Sequence, residues 1–187
     1  MTNVEKFRPG SAVASGWILI LFFMGFIFQT GIYGGNLILT SAICIAGVMS
    51  SYLLFLKPYV LIFDEGIKII NPTKEITATW DLVEEIETKF SMSIEIGGKV
   101  FYAWAAPAPS RRHSKRVHRS DLLPGSDAPR RLGDSLRSDS GVCAHICKMR
   151  RKDFTGTVVS NFEISSDFRL LYATATCLVI AAANVIL

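Results

Sequence analysis

Residues 17–56 decide the fold: Trp17 opens the stretch WILILFFMGFIFQTGIYGGNLILTSAICIAGVMSSYLLFL, which contains no Lys, Arg, Asp or Glu. The turn residues Gly34, Gly35 and Asn36 divide it into two apolar runs, residues 17–33 and 36–56. A membrane-spanning helix needs about 20 mostly apolar residues, and in lipid it must satisfy its own backbone hydrogen bonds. We therefore predict a transmembrane helical hairpin over residues 17–57, preceded by a polar lead over residues 1–16.

A third apolar run, residues 170–187, has 18 residues and no charge. A helix of that length measures about 27 Å, close to the roughly 30 Å of a hydrocarbon core, so we predict a C-terminal transmembrane helix. Lys6 and Arg8 precede the first run, Lys57 follows the second and Arg169 precedes the third. The positive-inside rule then predicts a multi-pass plasma-membrane protein whose N-terminus and central domain face the cytoplasm. A cleaved signal peptide is disfavoured, because no A-x-A-like site follows the first run and a second run comes at once.

Composition separates the apolar ends from a polar middle. The 187 residues are 50% hydrophobic and 19% charged, with a net charge of +4. This segregation predicts a single small domain of about 100 residues, carried on membrane helices. Two of the four cysteines lie in apolar runs and two, Cys143 and Cys147, in the polar region, so they form no disulfide framework and suit a reducing cytosol.

The central region is rich in β-branched residues interrupted by turn residues, which is typical of short strands. We predict strands at residues 59–63, 67–70, 74–80, 85–90, 93–96 and 99–104. Gly97 and Gly98 form a hairpin turn between the last two strands. Short strands at this spacing indicate a small antiparallel sheet or partly open barrel. Phe63, Trp80 and Trp104 are predicted to lie in its core.

The run VLIFDEGIKIINP, the later TWDLVEEI, the Gly97–Gly98 turn and the aromatic strand that ends at Trp104 follow one another in this order. In this order the region is similar to the small bacterial pleckstrin-homology-like (PH-like) domains of actinobacterial membrane proteins, which tend to follow two membrane helices. The resemblance implies a sheet-built binding or scaffolding domain over residues 58–154, closed by a C-terminal helix. Residues 142–153 are suited to that helix, with Val142, Ile146 and Met149 on one face.

Residues 105–141 are rich in Ala, Pro, Ser, Gly and Arg, which predicts a basic, mobile insert, and residues 155–169 are predicted to be a linker. Each cation near an anionic leaflet contributes about 1 kcal/mol to binding, so a basic run is a candidate contact for lipid phosphate. A solvated loop and the positive-inside bias explain the same run. Nucleic acid is not predicted as a partner, because the run lacks a groove-reading or RNA-stacking module. The candidate phosphate contacts are Arg111, Arg112, Lys115, Arg116 and Arg119.

Ala42, Ala46 and Ser50 recur at four-residue spacing in the second apolar run. Small residues at this spacing let helices approach closely, so we predict a helix-packing face directed at the first run. The alternative is a contact face for another membrane subunit.

No residue pattern predicts catalysis, a cofactor or a metal. Cys143, His145 and Cys147 invite a zinc interpretation, but zinc sites usually pair two such sets, and the thiols are more simply explained as core-facing. Glu84, Glu85 and Glu87 are expected on the solvent side of a strand start. No Walker loop, dinucleotide fingerprint or H-E-x-x-H motif occurs, so an enzyme is not predicted.

The sequence therefore predicts a membrane-anchored α+β protein: a transmembrane hairpin, a PH-like sheet domain and a third transmembrane helix. Its expected role is that of a tethered binding or scaffold module. It would present the domain to an unidentified membrane or cytoplasmic protein, with anionic phospholipid as a second ligand. Self-association stays open. The alternative role is an accessory subunit of a membrane transport or envelope-assembly complex that acts through its helices.

Overall fold

The computed structural model describes residues 2–109, 138–156 and 159–186. The fold is α+β, with two apolar N-terminal helices and small antiparallel sheets. In chain order the elements are β1 Glu5–Phe7, α1 Gly10–Tyr33, α2 Leu37–Ser51, a π-helical turn Tyr52–Leu56, β2 Tyr59–Phe63, β3 Gly66–Ile70, β4 Lys74–Thr79, a 3-10 turn Trp80–Leu82, β5 Glu85–Glu87, β6 Ser91–Ile96, β7 Lys99–Pro107, α3 Asp139–Asp153, β8 Phe162–Ser166 and α4 Arg169–Ile186.

The chain divides into two compact units. The sheet unit comprises Met1–Pro9, Tyr59–Asn71 and Glu75–Ser165. The helical unit comprises Gly10–Pro58, Pro72–Lys74 and Ser166–Leu187. Two-residue connections, Arg8 with Pro9 and Lys57 with Pro58, join β1 to α1 and the π-helical turn to β2.

In the helical unit, α2 packs against both α1 and α4. The approach of α1 to α2 is close at Gly47, where a Cβ atom would lie 2.5 Å from Cζ of Phe23. Carbon atoms in contact prefer separations of about 3.5–4.0 Å, so only glycine admits the Phe23 ring at this position. A second close approach places Gly16 of α1 against the side chains of Phe55 and Leu56.

Polar contacts at both ends show that α4 runs antiparallel to α2. At one end, Asn36 accepts a hydrogen bond from the Leu39 backbone N–H (3.0 Å), and its amide donates to Asn184 near the end of α4 (3.4 Å). At the other end, Lys57 forms an ion pair with Asp167 (3.6 Å), just before α4 begins. The Lys57 ammonium also donates to the Pro72 carbonyl (3.0 Å).

The sheet unit is built from two antiparallel sheets. One has the order β1-β2-β3-β4-β8 and the other the order β5-β6-β7. The β6–β7 turn is made by Gly97 and Gly98, whose φ angles of +56° and +70° suit a tight hairpin that disfavours side chains. At Gly66 the backbone of β4 comes so close that a Cβ atom would lie 2.2 Å from the Ala78 carbonyl oxygen.

The core of the sheet unit lies between the sheets and α3. Trp80 is 1% exposed, and its indole N–H donates to the Phe63 carbonyl at 3.1 Å. The predictions that Phe63 and Trp80 are buried are confirmed. The prediction for Trp104 is wrong: its side chain is 56% exposed. Ala103 between Tyr102 and Trp104 is buried instead, because β7 turns its small residues inward.

Helix α3 presents the predicted face to the core only in part: Ile146 packs against the core, but the fully buried residues lie beside it. Its buried residues are Ser140, Gly141, Cys143, Ala144 and Cys147. Met149 is 55% exposed, since small side chains let α3 approach the sheets closely. Ser138 caps the helix by accepting a hydrogen bond from the Gly141 N–H (3.0 Å).

Several element bounds differ from the sequence-based expectation. Residues 5–7 of the predicted lead form β1, and α1 begins at Gly10 rather than at residue 17. The strand predicted at residues 85–90 ends at Glu87. The predicted linker contains β8, and the β7 strand extends to Pro107, inside the predicted insert.

Candidate binding surfaces

The helical unit exposes large apolar side chains around most of its circumference. In α1 only Gly16 is buried, whereas Trp17, Phe28 and Tyr33 are 55%, 72% and 81% exposed. Soluble monomers rarely expose contiguous apolar patches of more than a few hundred Å². By length and composition, the helices Gly10–Tyr33 and Leu37–Leu56 can each cross a membrane, and Arg169–Val185 is a shorter apolar helix. These two helices indicate membrane association.

The two ends of the helical unit differ in charge. One end carries Lys57, Asp167 and Arg169. The Asp167 carboxylate accepts a hydrogen bond from the Arg169 N–H (3.1 Å), and this bond, together with the charge of Lys57, holds the Asp167 pKa below its usual value. The opposite end carries the neutral pair Asn36 and Asn184. The unit is thus apolar along its length and charged at one end among the residues that the structure describes.

The predicted helix-packing face lies on the central helix of the helical unit. Ala42 and Ala46 are buried and Ser50 is half-buried. A close approach to α1, however, occurs one residue further on, at Gly47. The sequence signal for this contact is the Ala46–Gly47 pair of small residues. The four-residue spacing of Ala42, Ala46 and Ser50 does not include Gly47. A functional role for Ala42, Ala46 and Ser50 stays a prediction.

The basic run, with Arg111, Arg112, Lys115, Arg116 and Arg119, lies outside the described residues. Its contact with phosphate therefore also stays a prediction.

The candidate zinc residues do not converge. Cys143 and Cys147 are fully buried in the core, as expected for core-facing thiols, whereas His145 on the same helix is exposed. Burial and the neighbouring Cys143 raise the pKa of the Cys147 thiol well above its usual value. A thiol held protonated is a poor metal ligand and a poor nucleophile. Within the described ranges no three His, Cys, Asp or Glu side chains are grouped to hold a metal ion.

The three-stranded sheet has one face in the core and one face toward solvent. We call the solvent side the outer face and define it by Glu85, Glu95, Val100, Tyr102 and Trp104. Residues paired across antiparallel strands point to the same side of a sheet, and the register pairs Glu85 with Glu95 and Glu95 with Val100. The outer face therefore carries carboxylates on β5 and β6, and apolar side chains on β7. The register also puts Glu87 and Ser93 on the solvent side, and Ser93 is only 2% exposed there.

The exposed side chains of β7 are held by a fixed backbone. The Asn71 side-chain amide donates to the Tyr102 carbonyl (2.8 Å), and its oxygen accepts from the Trp104 N–H (2.9 Å). Both groups point to the same edge of β7, so Tyr102 and Trp104 share one side, although the register with β6 shifts beyond Tyr102. Val100, Tyr102 and Trp104 are 45%, 49% and 56% exposed. They form an exposed apolar row on a strand.

A separate polar cluster ties the N-terminal segment to the β2–β3 turn. The Glu65 carboxylate accepts hydrogen bonds from the Thr2 hydroxyl (2.7 Å) and the Thr2 backbone N–H (3.1 Å), which lower the Glu65 pKa to about 2. Asn3 donates to Asp64 (2.8 Å), and Arg150 of α3 pairs with Asp64 and with Glu5. Each charged group has a partner, so this cluster fastens the sheet unit and offers no open site.

No protein-family model matches the chain, and no curated protein or solved structure shows significant similarity to it.

Proposed function

We propose that this protein is a membrane-tethered binding module whose three apolar helices, α1, α2 and α4, cross the bilayer and carry the sheet unit on the cytoplasmic side. The observation that carries the proposal is the apolar exposure around the helical unit, which lipid would cover. Its charged groups support it as well, because Lys57, Asp167 and Arg169 lie together at one end of the helices, where headgroups and water are available.

The packing of α4 favours a third span. The helix lies antiparallel to α2 with its two ends level with those of α2, at the Asn36–Asn184 pair and the Lys57–Asp167 pair. Its 18 residues measure about 27 Å, enough to follow α2 through most of a hydrocarbon core.

The charges favour a cytoplasmic sheet unit. Lys6, Arg8, Lys57 and Arg169 all flank the helix ends that join the sheet unit, and the α1–α2 turn has no charge. Short basic flanks are retained on the cytoplasmic side.

The order of elements in the sheet unit supports a PH-like domain. Strands β2–β4 form most of one antiparallel sheet, β5–β7 form a second, and α3 follows and covers the core. This is the sheet-built arrangement with a closing helix that the resemblance implies. It favours a binding or scaffolding role, with a protein partner as main ligand and anionic phospholipid, met by the run from Arg111 to Arg119, as a second ligand.

The helix-based alternative receives less support. Ala42 and Ala46 are buried inside the helical unit, so another subunit would have to use exposed side chains of α1 instead.

Alkaline carbonate extraction of membranes that contain the full-length protein tests the tether. We expect the protein to stay with the membrane pellet, because three apolar helices hold it in the bilayer. A peripheral membrane protein serves as the control and is released. Release of this protein into the soluble fraction would contradict the proposal.

A further inference from the structure

We infer that the outer face of the three-stranded sheet binds an arginine- or lysine-rich segment of a partner protein. The inference rests on the proposed role of the sheet unit as a binding module, and it names the chemistry of the partner. It concerns Glu85, Glu95, Val100, Tyr102 and Trp104, and none of the residues in the basic run.

Two carboxylates of this face, those of Glu85 and Glu95, are arranged at a cost to the free domain. Glu85 of β5 and Glu95 of β6 are direct cross-strand partners. Like charges placed directly opposite each other destabilise a sheet. Among the described residues, neither carboxylate takes part in a salt bridge or a side-chain hydrogen bond. A cationic group placed between them would be attracted by both carboxylates. It would also relieve the repulsion between them, so two effects favour the binding of a cation.

The apolar row supplies the second half of the surface. Val100 is the cross-strand partner of Glu95, so the row begins directly beside the carboxylates and continues through Tyr102 to Trp104. A guanidinium or ammonium group over a tyrosine or tryptophan ring is attracted by the ring face, most strongly by tryptophan. An extended segment directs alternate side chains to one side, so a segment with basic residues at alternate positions would bring them to both the carboxylates and the rings. Asn71 holds the β7 backbone in place, which lowers the entropy lost on binding.

The charge of the face argues against the other classes of occupant. An anionic membrane surface and a nucleic acid both present phosphates, and both would be repelled by Glu85 and Glu95. A purely apolar partner would bury the two carboxylates without compensation, which is costly. A basic protein segment has neither problem.

The test measures binding of a fluorescein-labelled peptide of four Arg-Leu repeats to the full-length protein in detergent micelles, by fluorescence anisotropy at low salt. We expect saturable binding, and no binding of a matched peptide of four Glu-Leu repeats. The double variant Glu85→Gln with Glu95→Gln should weaken binding by about tenfold or more, because two charge contacts are lost and the shape is kept. Trp104→Ala should weaken it by about fivefold, because the ring contact is lost.

Glu163→Gln is the matched control variant, because Glu163 is an exposed glutamate on β8, in the other sheet. It should leave the affinity unchanged within about twofold. Equal weakening by Glu163→Gln would overturn the inference, as would the absence of saturable binding.

A further variant replaces Arg111, Arg112, Lys115, Arg116 and Arg119 by Gln. If it binds the peptide about tenfold more tightly than the parent, the chain's own basic run occupies the face, and the inference of a separate partner is wrong. Unchanged affinity supports it. Because peptide binding is measured in micelles, it does not depend on whether the helices cross a bilayer. If carbonate releases the protein from membranes and the protein still binds the peptide, only the proposed membrane tether is contradicted.

Discussion

Replacing Gly47 by Ala should separate α1 from α2. A Cβ atom at this position would lie 2.5 Å from Cζ of Phe23 and 2.6 Å from the two neighbouring ring carbons. The shortfall is about 1 Å relative to an ordinary carbon–carbon contact. Because the Cβ atom meets the far end of the Phe23 ring, either Phe23 must leave its rotamer or the helices must move apart. Overpacking of this kind costs about 1–3 kcal/mol.

Thermal unfolding in detergent measures this cost, followed by a maleimide dye that fluoresces when it reacts with thiols. Cys44, Cys143 and Cys147 are buried, so they react only as the protein opens. For a chain of this size, about 1 kcal/mol corresponds to a shift in Tm of roughly 2–4 °C, so Gly47→Ala should lower the Tm by about 2–12 °C.

The matched control is Gly25→Ala, since a Cβ atom at Gly25 of α1 meets nothing within 4 Å. Alanine is the better helix former, so this variant should be neutral or slightly stabilised. In a Phe23→Ala background, Gly47→Ala should cost much less, because the clashing ring is gone. The reasoning is refuted if Gly47→Ala melts like the parent protein, or if its cost is undiminished when Phe23 is absent.

Three further predictions concern the sheet unit. Gly66→Ala should destabilise the protein by about 3 kcal/mol in chemical denaturation, because its Cβ atom would meet the Ala78 backbone oxygen at 2.2 Å. Gly10→Ala, whose Cβ atom would meet nothing within 4 Å, controls for the loss of a glycine. Trp80→Phe should cost about 1–3 kcal/mol in the same assay, since the buried Phe63 carbonyl loses its donor; an unchanged midpoint would contradict this. The Glu65 pKa is lowered from 4.5 to about 2, so its contribution to stability is present above pH 4.5 and is lost as the pH falls toward 2. An NMR titration should find that midpoint, and Thr2→Val should move it upward; a midpoint near 4.5 in the parent would be inconsistent with the Thr2 hydrogen bonds.

Local sequence signals identified the elements whose residues settle their own conformation. The run from Tyr59 to Ile70 is rich in β-branched residues around a turn, and the Gly97–Gly98 pair fixes a hairpin, so these strands were predictable. The apolar runs of α1 and α2 were equally clear. Strand β1 was not predictable, because its three residues become a strand only by pairing with Val60, Leu61 and Ile62, far along the chain.

Which face of a strand or helix is buried was harder to predict than whether the strand or helix forms. Strand β7 has apolar residues at both its odd and its even positions. Its sequence therefore does not decide whether Trp104 or Ala103 points into the core. The choice is made by packing with its neighbour, whose Ile94 and Ile96 are buried, and by the irregular register between Ser91 and Ser93. In α3, packing against the sheets likewise decides the buried face. The small residues Cys143 and Cys147 are buried, and the larger Met149 is exposed.

The outer face likewise could not be predicted, because it depends on register. The sequence placed Glu85 at a solvent-facing strand start, but only the pairing of Glu85 with Glu95 and of Glu95 with Val100 brings carboxylates and aromatic side chains to one surface.

The central claim, a helical unit that spans the membrane with the sheet unit inside the cell, is tested most directly by cysteine accessibility. Lys99→Cys places a thiol at the exposed β6–β7 hairpin, and Tyr33→Cys places one at the 81% exposed end of α1. The parent protein is the control, because its thiols are buried or lie within apolar helices. With a membrane-impermeant maleimide, we expect Tyr33→Cys to be labelled in intact cells and Lys99→Cys only after permeabilisation. Labelling of Lys99→Cys in intact cells would contradict the account.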